Sequence, residues 1–185
     1  MDEGLDGPAR SAHGCPALRE EPLLAAFVAY WERKRGARDV PEKRDIDPAE
    51  IDPALLPFVA VGELDVAGRV RYRLVGTGIT TRHGIDPTGK YVDEVLNGTY
   101  GDYIRALIGE SMRKRRPVYS DAISRYDAGP YLRVKRVILP LTGGGGDIRF
   151  IIGAQLIQSP PEQDDAQMRW YRGNGALHEI VRVVF

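Results

Sequence analysis

One long amphipathic helix pattern lies between two groups of strand-like segments. That order constrains the fold more than any other feature of the 185-residue chain. Tyr100, Tyr103, Ile104, Leu107, Ile108 and Met112 recur at helical spacing and form one apolar face. Thr99 to Asp102 has the form of a capping box, Arg113 to Arg116 suits the negative end of the helix dipole, and Pro117 stops the helix. Two strands are predicted before it, Phe58 to Asp65 and Arg69 to Thr77, turning at Ala67-Gly68. Three are predicted after it, over 118–126, 131–141 and 149–157, with turns at Asp127 to Pro130 and at the run Gly143 to Gly146. The sum is an α+β fold, a five-stranded antiparallel sheet with helices on one face. Apolar residues on both faces of the last strand place it centrally in that sheet. In the second strand Val70, Tyr72 and Leu74 alternate with Arg69, Arg71 and Arg73, so the apolar set is expected to face inward.

The flanks divide the chain further. Residues 1–20 mix Gly, Pro, Ala and charge without periodicity and read as a disordered lead-in. Residues 21–36 read as an N-terminal amphipathic helix, with Pro22 in its first turn and Gly36 at its stop. Its apolar side, including Leu23, Phe27, Tyr30 and Trp31, is broad enough to require a cover, and a symmetric homodimer through these residues is the expectation. Asp47-Pro48 and Asp52-Pro53 are helix-start signals in the 37–158 domain; they lack the ligand register of a calcium loop. The tail, 159–185, carries a helical pattern over Glu162 to Tyr171, and Val181, Val183, Val184 and Phe185 need a partner surface.

Composition narrows function. Lys+Arg and Asp+Glu are 26 each, so the net charge of +0 gives no bulk footprint for nucleic acid or an anionic membrane. The single cysteine, Cys15, excludes an intrachain disulfide framework, and its pairing with His13 is a poor metal site; no metal is expected. There is no apolar run of the length of a membrane span and no signal-peptide core, so the expected location is the cytoplasm. Gly76-Thr77-Gly78 lacks the third glycine of a dinucleotide fingerprint, and the Gly143 run lacks the Lys-Ser/Thr of a phosphate loop.

Read together, Trp31, Arg44-Asp45-Ile46-Asp47-Pro48 with Ile51, Leu56-Pro57, Tyr72 to Thr77, and Gly84 with Thr88-Gly89 resemble the stand-alone PAS-domain family common in proteobacteria. The resemblance covers about residues 25 to 158 and implies a PAS fold with the N-terminal helix added. It also implies a sensory or regulatory module with a small cavity between the sheet and the helical insert, binding a metabolite or a protein partner without catalysis. The haem branch of the family has an axial His on the long helix, and Tyr100 to Arg116 contains none; the flavin photosensors have a Cys in the insert, and Cys15 is far from it. Neither haem nor a covalent-adduct flavin is therefore expected, and an unidentified small molecule is the expected ligand. The candidate polar contacts are Arg82 and His83 at the start of the insert, with Tyr72, Tyr91, Tyr103 and Tyr119 around the pocket; an Arg or His there suits a carboxylate or phosphate.

Two other classes stand beside this reading. A small cone-shaped isomerase or dehydratase would use His83 with Asp86 or Asp102 as its base. A nucleic-acid adaptor would use Arg69, Arg71, Arg73 and Arg113 to Arg116. A signalling protein is the expected partner of the sensor, because the chain carries no output segment of its own.

Overall fold

The computed structural model describes residues 15–125, 131–158 and 177–185. Six antiparallel strands form one sheet in the order β2-β1-β5-β4-β3-β6: β1 Val59–Leu64, β2 Val70–Val75, β3 Val118–Arg125, β4 Tyr131–Thr142, β5 Ile148–Gln158 and β6 Leu177–Val184. β5 lies between β1 and β4, as its two apolar faces require. The sixth strand corrects the expected count of five and gives the tail's end its partner surface: residues 177–184 pair with β3 from Ser124↔Leu177 to Val118↔Val184. The expected helix over Glu162 to Tyr171 lies outside the described residues, as does the turn from Asp127 to Pro130.

Helices cover both faces rather than one. α2, Pro22–Arg35, crosses the face opposite the insert. Proline at its first turn supplies a preset φ, three basic residues occupy its last turn, and Gly36 closes it at φ 56°, where a side chain would be strained. Phe27, Tyr30 and Trp31 are buried against Val137, Leu139 and Ile152, and Leu23 is half-buried on the same core. The apolar side that motivates a dimer is thus taken up inside the protomer, and these four residues do not form a waiting interface. The physical reason is that an antiparallel sheet apolar on both faces needs two covers. The boundary at residue 20 also moves. A short helix α1, Pro16–Arg19, places Cys15 and Leu18 in the α2-side core, both fully buried.

The other face holds the insert: α3 Thr77–His83, α4 Val92–Val95 and α5 Gly98–Lys114. α5 matches the helix read from the sequence, with Tyr103, Ile104, Leu107 and Ile108 buried. Its N-cap is Asn97, however, and Asp102 pairs with Arg105 rather than capping. Arg115 ends α5 in the left-handed region at φ 55°, while Ser111 Oγ donates to the Arg116 carbonyl at 2.8 Å. Short 3-10 turns at Lys43–Asp45, Pro48–Glu50 and Leu56–Phe58 lead into β1; in the second, Asp47 accepts from the Ala49 N–H at 2.9 Å, the cap its sequence predicts.

Candidate functional site

A cavity of about 100 Å³ lies between the insert and the sheet. Ala60 and Gly62 of β1, Ile151 of β5 and Ile138 of β4 form its floor, and Leu96, Ile104 and Ile108 form part of its roof. The floor is deep because β1 has glycine there: a Cβ at Gly62 would stand 2.6 Å from Val70 Cγ1.

The edge strand β2 supplies Val70, Tyr72 and Val75 to the wall. Leu74, expected to face inward with them, is 49% exposed. The cause is a bulge. Val61 pairs with Leu74 but Gly62 pairs with Tyr72, so Arg73 is the extra residue and the alternation slips by one. A strict period of two, read from the sequence, carries no signal for such a slip.

Arg69, just before β2, and the arginines within it turn to partners nearby. Arg69 lies with its guanidinium carbon 3.7 Å from the centre of the Tyr91 ring and pairs with Asp93 at 2.9 Å and Glu94 at 3.2 Å. That contact holds the Asp93 carboxyl below the usual carboxylate range. Arg71 donates to the Tyr91 hydroxyl at 2.8 Å, and Arg73 pairs with Glu63 at 3.2 Å. The chain at 89–91 also guards the open edge of β2. Gly89 N–H donates to the Tyr72 carbonyl and Tyr72 N–H to the Lys90 carbonyl, at 2.8 and 2.9 Å.

Of the predicted ligand contacts whose side chains are described, Tyr72 alone is placed on the cavity wall. Arg82 and His83 belong to the last turn of α3, and their side chains lie outside the described residues. Tyr103 is buried behind the wall, where burial pushes its phenol up and the neighbouring Ser120 partly offsets this. Tyr91 is in the arginine stack at the edge of the sheet. Tyr119 is corrected outright: it points into the core beneath α2, because odd positions of β3 face that side. Asp86 accepts from the Thr88 N–H at 2.9 Å, and neither it nor Asp102 lines the cavity.

The polar wall is one that the sequence reading missed. Arg136 of β4 and Gln155 of β5 are register partners, and both line the cavity beside Tyr100. Arg136 is 4% exposed, and its Nη2 donates to the Tyr100 hydroxyl at 3.2 Å. No group of three or more His, Cys, Asp and Glu side chains converges as a metal site among the described residues. None of their helices is long and apolar enough to cross a membrane.

A sheet with a helical insert over a cavity on one face is the PAS arrangement, and the family model described as PAS domain matches residues 19–156. The chain belongs to the PAS domain family. The PAS domain of Bordetella pertussis BvgS is similar at 16% identity and a TM-score of 0.45, covering 64% of this chain and 86% of that one. The fungal blue-light photoreceptor Vivid, as a light-state dimer, is similar at 11% identity and a TM-score of 0.46, covering 68% and 90%. Vibrio cholera VqmA, solved as a ligand–DNA complex, is similar at 15% identity and a TM-score of 0.45, covering 65% and 54%. No curated protein matches the chain. The PAS identity makes the chain a sensory module in kind.

Proposed function

We propose that this PAS domain senses one small, largely apolar molecule held in the cavity, performs no catalysis, and reports to a signalling protein. The observation that carries the reading is the cavity itself, enclosed by the insert and lined mostly by aliphatic side chains. At about 100 Å³ it falls below the ~300–1,000 Å³ of sites for drug-sized ligands and nearer the ~150 Å³ apolar cavity that accepts one benzene ring. The same small volume argues against the three fused rings of a flavin. The one cysteine is buried in the opposite core, and no His or Cys lines the cavity among the described residues. Absence of catalysis is supported by the two carboxylates weighed as partners of His83, Asp86 and Asp102, which serve a turn and a surface pair. A protein rather than nucleic acid as partner is supported by the pairing of Arg69, Arg73 and Lys114 with acidic neighbours.

Thermal shift and calorimetry with benzyl alcohol and 1-hexanol test the cavity. Saturable stabilisation of the wild type, absent from Ala60→Leu, is the expected result. Equal behaviour of the two proteins would remove the cavity as the binding site.

A further inference from the structure

Arg136 is a buried cation to which the described residues give no anion. Its neighbour Lys135, buried on the other face of the same strand, pairs with Glu21. Arg136 makes no ion pair with a carboxylate among the described residues. Instead its guanidinium carbon lies 5.5 Å from the centre of the Tyr100 ring and 6.0 Å from that of Tyr103. Its Nε is buried with no hydrogen-bond partner among the described residues. A buried charge without a partner is costly, and native cores rarely retain one without a purpose. The unsatisfied Nε belongs to a side chain on the cavity wall.

We propose that the ligand is a small monocarboxylate whose anionic end meets Arg136 and whose apolar body fills the aliphatic part of the cavity; this rests on the cavity being the ligand site. The Nε–Nη edge of a guanidinium takes both oxygens of a carboxylate side by side. One unit of negative charge neutralises the one unit that the wall carries, whereas a phosphate dianion would leave excess charge in an apolar space. Gln155, in register with Arg136 on the same wall, offers an amide donor to the same end of the ligand.

The test compares benzoate and hexanoate with benzyl alcohol and 1-hexanol, by calorimetry and thermal shift, on wild type and Arg136→Met. The wild type is expected to bind each carboxylate about tenfold or more tighter than its alcohol. Arg136→Met is expected to lose that preference while still binding the alcohols. Arg136→Gln serves the same comparison if the Met variant does not fold. Alcohols that bind the wild type as well as the acids do would overturn the carboxylate assignment and leave the cavity reading intact. The same result with a lower Tm for Arg136→Met would assign Arg136 to ring stacking alone. Failure of all four compounds on the wild type would overturn both readings.

Discussion

Trp31 donates its indole N–H to the Pro140 carbonyl at 2.9 Å, across 109 residues of sequence and away from solvent. The bond fixes the rotation of α2 on β4, since the ring can reach that carbonyl from one face of the helix only. Trp31→Phe keeps most of the apolar contact and removes the donor, so a loss of about 1 kcal/mol is expected. Trp31→Ala is expected to cost about 3–5 kcal/mol through the cavity it leaves. Urea unfolding of the two variants separates the effects; equal losses would show that the hydrogen bond contributes nothing of its own.

The Glu21–Lys135 pair joins the start of α2 to β4 with both side chains buried. Glu21→Gln strands the ammonium and is expected to destabilise by about 3–5 kcal/mol. The double variant Glu21→Gln/Lys135→Met removes both charges and is expected to recover most of that loss. Chemical denaturation of the four proteins at pH 7 supplies the cycle, and additive losses would mean that the two groups do not interact.

Alkali is expected to unfold the domain through its buried phenols. Burial pushes up the ionisation of Tyr103, and burial together with the charges of Asp121 and Glu21 pushes up that of Tyr119. In each case the folded state holds its proton to higher pH than the unfolded chain does. The contribution is therefore intact below the ordinary phenol value near 10 and declines as the pH rises beyond it toward the folded-state values. Thermal melts between pH 8 and 11 should show stability falling above about pH 10, with a shallower fall in Tyr103→Phe and Tyr119→Phe. An unchanged slope in both variants would remove these residues as the cause.

Ending the chain after residue 176 deletes β6 and exposes the edge of β3, whose register with β6 runs from Val118 to Ser124. It also removes Phe185, which is buried in the α2-side core. The truncated protein is expected to self-associate through the uncovered edge. Light scattering that finds it monodisperse at the mass of the full chain's species, less the missing residues, would argue against edge protection.

The sequence made the central fold legible because its signals are local. α5 announces itself by six apolar residues at helical spacing, and β5 by apolar residues on both faces. What it concealed depends on contacts distant in the chain. Whether Phe27 and Trp31 face a second copy or their own sheet turns on which face of β4 is uncovered, a tertiary fact. β6 pairs with a strand about sixty positions earlier, and its mixed pattern of Leu177–Val184 gives little local warning. A single extra residue in β2 turns Leu74 outward against the alternation of its neighbours. Arg136 carries no local signal: among other cations in β4, nothing but the pairing of three strands reveals that it is buried beside a cavity.

β4 presents Arg136 to the cavity and its next residue, Val137, to the core beneath α2. The same few atoms of backbone thus form the wall of one compartment and the floor of the other. Close-packed interiors transmit small displacements rather than absorbing them. An occupant that draws Arg136 toward itself would tilt the bed on which Trp31 rests, so the N-terminal helix could register a filled chamber that it never touches.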